Sequence, residues 1–383
     1  MFSELRPVGN RIRLKPTQLV SPLFNDFNMA GFQSGTAALA AALLSAKKQR
    51  PDIDQPYVLM PAYTCPDVIS AARFANVKPL LVDLMPERPW MSLGDLSDKL
   101  SSNCIAVIAI NFLGIPERID AIANIVKPHN LVIIEDSAQG FPIHSAQNYW
   151  HGDFIVTSFG RGKPLSLLGG GAVFSPSRSN ITPPTPLKPV PSSLFSQTVY
   201  FLKALAYNLL SRPLCYYFLT RLPGFKLGDT RYHRLDSIKG LPDFIQSRLS
   251  KNYAGYRQLS RCDKRYQDFF RSLNHPAIID LKSVCQLPDD KPLLRYPILV
   301  TQPDLCQSLS NALSELGLGA STMYRKTLPN IKGVQKDWLN QTQFPAADDF
   351  AHQLITLPLH SDVKDKAFLQ ITQCIEKHSQ KLI

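Results

Sequence analysis

Between about residues 34 and 175, short apolar runs of strand length alternate with amphipathic stretches, and that rhythm restricts the chain to a narrow set of architectures. The runs are YVLM (57–60), PLLVDL (79–84), CIAVIAI (104–110), LVIIED (131–136) and DFIVTSF (153–159). Each has the length and apolar content of a buried strand. DVISAARFANV (67–77) and RIDAIANIVKPHN (118–130) lie between them and carry apolar residues at helical spacing. Strands separated by helices point to an α/β fold, with a mainly parallel sheet covered by helices on both faces. In such sheets ligands collect where strand ends run into loops, so the polar residues just past each run are the ones to read for chemistry.

The remainder of the 383 residues exceeds what one average domain needs, so a large domain followed by a smaller one is expected. At 44% apolar and 19% charged, the chain can bury a sizeable core, which sets aside collagen-like, coiled-coil and disordered readings. Residues 176–192 (PSRSNITPPTPLKPVPS) are rich in Pro and Ser and read as a surface linker, because Pro withholds backbone donors. The block at 194–223 is apolar and aromatic, broken by Pro213 and marked by Lys203, Arg212 and Arg221. Its uninterrupted apolar stretch is too short to span a bilayer, so two helices are expected, packed together or lying on a surface. From 240 onward, helical segments, the strand-like RYPILV (295–300), a helix at 304–317 and a closing helix near 362–377 describe a small α+β lobe.

Charge and cysteines narrow the partners. The net charge of +12 suits an anionic partner, whether nucleic acid, a phospholipid surface or a phosphorylated small molecule. Nucleic acid is not expected, because no basic cluster interleaved with aromatics forms a known module. Seven scattered cysteines without a Cys-x-x-Cys suggest neither a disulfide framework nor a zinc site, and no metal is expected. Without an apolar stretch behind it, the basic N-terminus is not a secretory signal, and a cytoplasmic setting follows as the expectation.

Three local signals carry chemistry. Ser34-Gly35-Thr36 opens an Ala- and Leu-rich helix. Free backbone N–H groups there, with the Thr hydroxyl, suit a phosphate, although the same triplet also serves as a plain helix cap. Asp136, in Glu135-Asp136-Ser137-Ala138-Gln139, ends an apolar strand. There a carboxylate faces the ligand crevice and is able to hold a proton on a cationic ring nitrogen, or else caps the next helix. Lys163 follows Ser158-Phe159-Gly160-Arg161-Gly162, ahead of Gly169-Gly170-Gly171. A lysine in such a loop forms a Schiff base with an aldehyde cofactor if its amine is made nucleophilic, and otherwise is a solvated loop residue.

In order along the chain, SGTAAL (34–39), MPAYTC (60–65), NFLG (111–114), IIEDSAQ (133–139), GDFIVTSF (152–159), Lys163, GGGAVF (169–174), RYPILV, LGLGASTMY (316–324), FPAADDFA (344–351) and LPLH (357–360) run through nearly the whole sequence. Their order resembles that of the DegT/DnrJ/EryC1/StrS family of aminotransferases, which use pyridoxal phosphate. The resemblance implies the fold-type-I architecture: a mainly parallel seven-stranded sheet with helices on both faces, plus a smaller C-terminal α+β domain. It places an N-terminal arm at 1–30, a large cofactor domain at 31–240 with an inserted linker and apolar segment at 176–230, and a small domain at 241–383.

The same resemblance assigns roles. Lys163 holds the cofactor aldehyde and shuttles the proton; Asp136 pairs with the ring nitrogen; Gln139 contacts the ring-side oxygen; Ser34, Gly35, Thr36 and Ser158 surround the phosphate. The ring-stacking position falls at Cys65, with Tyr63 two residues earlier as the other candidate. Arg231 and Arg234 are the nearest matches to the segment that reaches the phosphate from a neighbouring subunit, and Tyr324 and His360 fall on the substrate side. The implied activity moves an amino group, with glutamate as the expected donor, to a keto-sugar that is nucleotide-activated or lipid-linked. The implied assembly is a homodimer with shared active sites, with peripheral membrane contact through 194–223 also in view. Two alternatives stand beside it: a sugar dehydratase, whose relatives carry histidine where this chain has Lys163, and a non-catalytic relative that binds a membrane surface.

Overall fold

The computed structural model describes residues 4–8, 10–17, 24–185, 187–188, 190–221, 230–259, 261–340 and 343–380. Residues 222–229, the end of the apolar segment read from the sequence, lie outside them.

All five apolar runs become strands. With one strand before them and one after, they form β1 (Phe27–Phe32), β2 (Tyr57–Pro61), β3 (Lys78–Val82), β4 (Cys104–Ile110), β5 (Val132–Asp136), β6 (Phe154–Ser158) and β7 (Gly171–Pro176). The sheet order is β1-β7-β6-β5-β4-β2-β3. Strands β2 to β6 pair in parallel, whereas β7 runs antiparallel to both β6 and β1. Every residue of β4 is buried, as a central strand covered on both faces requires, which is why its sequence does not alternate.

Helices α1 (Gly35–Gln49), α2 (Asp67–Phe74), α3 (Leu93–Asp98) and α4 (Ile119–Val126) connect the early strands. Alanines dominate α1 and leave it nearly without bulk, so it lies close on β6 and β7 with Ala37 to Ala42 buried. α4 is shorter than its sequence pattern suggests. Pro128 and a left-handed Asn130 (φ 58°) turn the chain through a single 3-10 turn into β5.

The apolar block forms two helices, α5 (Leu194–Leu210) and α6 (Pro213–Thr220), separated where Pro213 begins the second. Only Tyr200 and Ala204 of the pair are buried, and Leu194, Phe195, Leu202, Leu205 and Phe218 are exposed. No described helix is long and apolar enough to cross a membrane. The later part of the chain builds a second, antiparallel sheet in the order β10-β9-β8 from β8 (Ile278–Asp280), β9 (Tyr296–Val300) and β10 (Leu354–Leu357). Helices at Pro303–Glu315, Pro345–Gln353 and Asp365–Ser379 accompany it.

The N-terminal arm ties these parts together. Leu5 donates to the Gly317 carbonyl, Arg6 pairs with Asp362 at 2.7 Å, and Asn208 of α5 brackets the backbone of Ile12. Asn10 donates to the Pro164 carbonyl, so the arm passes directly beside the loop of Lys163.

Candidate active site

Three chain segments converge at one end of the large sheet. β5 ends at Asp136 and β6 at Ser158, and Ser34 bridges to Gly170 at the mouth of α1. Sheet alternation separates the two carboxylates that close β5. Glu135 points into the protein, where its oxygens accept from Asn111 Nδ2 (2.7 Å) and from the backbone N–H groups of His151 (2.7 Å) and Gly152 (2.8 Å). It is a scaffold residue. Asp136, on the opposite side, accepts one hydrogen bond at Oδ1, from Ala138 N–H at 2.9 Å. Its other oxygen has no donor among the described residues. Burial raises the Asp136 pKa, and the positive charge of Lys163 works against that rise. The charge of Lys163 therefore acts on Asp136.

The start of α1 leaves room for an anion. Ser34 caps its own helix by accepting from Ala37 N–H at 3.1 Å, and its carbonyl receives Ala38 N–H. The Gly35 N–H faces the Gly170 carbonyl in the Ser34–Gly170 bridge, the Thr36 N–H has no acceptor among the described residues, and no acid occupies the first turn. Gly35 lies against Ser158, whose hydroxyl accepts from Gly160 N–H at 3.3 Å. An open N–H, a helix dipole and a serine hydroxyl are the features there that suit a phosphate.

A cavity of about 220 Å³ is lined among others by Gln139, Arg161, Lys163, Arg295, Ser321 and Tyr324. Gln139 accepts from Leu113 N–H at 2.9 Å through Oε1, which leaves its amide NH₂ as the group to donate to a ligand. The groups thus fit a phosphorylated, cationic aromatic aldehyde: an anion cradle, a carboxylate with one open oxygen, and an amine whose charge reaches that carboxylate.

The two stacking candidates part company. Tyr63 is buried in an aromatic cluster with ring centroids 5.6 Å from Phe112, 5.3 Å from Phe350 and 5.7 Å from Tyr324. Its hydroxyl donates to the Tyr324 carbonyl at 2.8 Å, and neither Tyr63 nor Cys65 is among the residues that line the cavity. Cys65 instead lies within electrostatic reach of Lys163, and burial pushes its thiol up to about 11, which keeps it neutral.

Of the two substrate-side candidates, Tyr324 lines the cavity and His360 does not. The His360 Nε2 bonds to the Arg6 carbonyl at 2.7 Å, making it a partner of the N-terminal arm. Arg231 and Arg234 are exposed, with Arg234 paired to Asp236 at 3.6 Å, while the neighbouring Thr230 reaches the cavity. Sequence reasoning passed over Arg295, Ser321 and Met323. The available signal for Arg295 was a cation standing immediately before the wholly apolar strand YPILV.

Known proteins resemble this chain in sequence and in fold. Residues 23–182 and 249–376 match the model of the DegT/DnrJ/EryC1/StrS aminotransferase family, leaving out the segment that contains α5 and α6. GDP-perosamine synthase of Escherichia coli O157:H7 is 29% identical over 142 residues, 37% of this chain and 38% of that protein. The chain thus spans well under half the length of that relative. UDP-4-amino-4,6-dideoxy-N-acetyl-beta-L-altrosamine transaminase of Campylobacter jejuni serotype O:2 is 24% identical over 84% of this chain and 79% of its own. Among solved structures, Spr1654 from Streptococcus pneumoniae in its PLP form superposes with a TM-score of 0.67 at 18% identity, covering 93% of this chain and 88% of its own. The sugar aminotransferase CalS13 from Micromonospora echinospora gives 0.63 at 18% identity, covering 91% and 87%. With a family model spanning most of its length and a fold shared throughout, the chain belongs to the DegT/DnrJ/EryC1/StrS aminotransferase family.

Proposed function

We propose that this protein is an aminotransferase that moves an amino group from glutamate to a keto-sugar, nucleotide-activated or lipid-linked, with pyridoxal phosphate as its cofactor. The observation that supports the reading is that Lys163, which lines the cavity, stands near enough to Asp136 for its charge to oppose the burial-driven rise of that carboxyl's pKa. The names of the relatives support a sugar acceptor.

When bound, pyridoxal phosphate supplies an aldehyde that captures amines and a ring that draws electrons away from the carbon beside the captured nitrogen. The protein supplies the rest. Lys163 Nζ is the amine that holds the aldehyde and, once released, takes and returns the proton at the donor carbon. The open oxygen of Asp136 would accept a hydrogen bond from the ring N–H and so keep the ring nitrogen protonated. Thr36 N–H and Ser158 Oγ hold the phosphate, Gln139 donates to the ring oxygen, and Cys65 covers the ring with a small neutral side chain.

Lys163 also favours this reading over dehydration, because an amine at that position is able both to hold the aldehyde and to carry the proton. The proposed assembly is a homodimer working in the cytoplasm, with Arg231 and Arg234 directed to the neighbouring site.

Cofactor absorbance tests the reading directly. Wild-type protein supplied with pyridoxal phosphate is expected to show a band near the edge of the visible that glutamate shifts, and Lys163→Ala is expected to lack it. Absence of any such band from the wild type removes the reading. Transfer of isotope from ¹⁵N-glutamate into a sugar product separates amination from dehydration.

A further inference from the structure

Arg295 is a cation without a counter-ion. It stands just before β9, lines the same cavity as Lys163, and has no acidic partner among the described residues. Its Nε–H is fully buried and bonds to nothing, and its Nη1 reaches only Thr356 Oγ1, at 3.4 Å. Besides Thr356, the groups that face it are Tyr324, Tyr216 of α6 and Tyr63, and its charge also reaches His360. Burial raises the pKa of each of those tyrosines, so all three are neutral at physiological pH. Burial also pulls Arg295 down to about 10, which leaves it cationic at pH 7.

A buried charge is costly unless it is paired, and a buried guanidinium normally has all of its donors satisfied. Here both conditions fail at the one arginine that touches the cavity from the side of the small sheet. An anion arriving with a ligand would meet both. The open Nε–H and a neighbouring Nη–H form a planar fork, whose natural complement is a planar carboxylate held by two parallel bonds. An amino acid carries its carboxylate on the same carbon as the amine that must approach Lys163. A cavity lined by both residues therefore suits its two functional groups at once.

We propose that Arg295 binds the carboxylate of the amino donor and so restricts donors to amino acids. This rests on the aminotransferase reading for its identification of the donor, but not for the anion site itself. Thr356, whose hydroxyl donates to the Ser321 carbonyl at 2.9 Å, is the positioning residue that orients the guanidinium.

The test uses cofactor-loaded protein and two independent readouts. Calorimetric titration with glutarate, an unreactive dicarboxylate, is expected to show binding to the wild type that weakens about tenfold or more in Arg295→Gln, the loss expected for a bidentate charged contact. The spectral half-reaction with L-glutamate is expected to show a KM raised by a similar factor. The half-reaction with an amine that carries no carboxylate is expected to be unchanged. Arg295→Lys, which keeps the charge and loses the fork, guards against a variant that fails to fold and is expected to fall between the two.

Equal glutarate affinity and equal glutamate KM in wild type and variants overturn the proposal while leaving the aminotransferase reading intact. Arg295-dependent binding of inorganic phosphate without binding of glutarate also overturns it, and assigns the arginine to a phosphorylated acceptor. If the wild type takes up no cofactor, the functional reading fails, and the glutarate titration of unloaded protein still decides the anion site.

Discussion

Gly35 sits so close to Ser158 that a Cβ on it would lie 2.7 Å from the serine Cβ and 2.9 Å from its hydroxyl. The contact is reciprocal with β7, because a Cβ on Gly171 would come within 2.7 Å of the Gly35 Cα. The start of α1 is thereby pressed between the ends of β6 and β7, beside the serine. Gly35→Ala is expected to push the helix off Ser158, costing about 1–3 kcal/mol as an overpacked contact does. Cofactor affinity is expected to fall with it. Thermal unfolding of the apo-protein and equilibrium dialysis against pyridoxal phosphate measure the two effects separately. Unchanged affinity in a destabilised variant would show that the phosphate binds elsewhere.

Asp136→Asn keeps the shape of the side chain and its bond with Ala138, but removes the charge opposite Lys163. The ring nitrogen then loses its anionic partner, a charged hydrogen bond of about 1.5–3 kcal/mol, so the half-reaction with glutamate should slow by about tenfold to a hundredfold or more. Cofactor should still bind, because Lys163 and the phosphate groups remain. Stopped-flow absorbance distinguishes the slow step from loss of binding.

His360 predicts an acid-sensitive arm. Burial first, and then the positive charge of Arg6, lower its pKa to about 4 from the ordinary 6.5, so the folded protein holds it neutral. Below pH 6.5 the unfolded chain binds a proton that the folded chain refuses. The contribution is complete above pH 6.5 and is lost as pH falls towards 4, in total about 3 kcal/mol at most. His360→Gln is expected to flatten the decline in stability between pH 6.5 and 4 relative to the wild type. Denaturant unfolding at a series of pH values checks this, and parallel curves for the two proteins would deny the histidine that role.

The fold was legible in the sequence where one rule acted alone. Buried central strands have to be apolar throughout, so β2 to β6 stood out, and Pro213 marked the break between α5 and α6. β1 was not visible, because FNMAGF acquires its partner only from β7, more than a hundred residues later. The site residues on strand ends and helix starts were readable for the same reason: backbone geometry there dictates what a side chain faces. Cys65 and Tyr63 were not separable, because which of them turns towards Lys163 depends on Phe112 and Phe350, brought in from distant segments. Arg295 was hidden for a related reason, since a missing counter-ion becomes visible only once every neighbour is known.

The apolar face of α5 and α6 gives the last prediction. Leu194, Phe195, Leu202, Leu205 and Phe218 are exposed together, a combination that an isolated soluble chain rarely tolerates. Anionic lipid would require free cations beside that face. Lys203 within α5 and the exposed Arg212 between the helices are the cations there, and Arg221, just past α6, is held by Glu4. A wide exposed apolar face with only these two cations matches the core of an interface between identical chains better than a headgroup layer. Leu202→Glu combined with Leu205→Glu is therefore expected to convert a dimer into monomers in sedimentation velocity runs. Tyr216, on the same α6, lies beside Arg295, so the dissociated variant should also react more weakly with glutamate. A wild type that is monomeric, or that pellets with anionic vesicles at low salt while the double variant does not, would instead assign this face to the membrane.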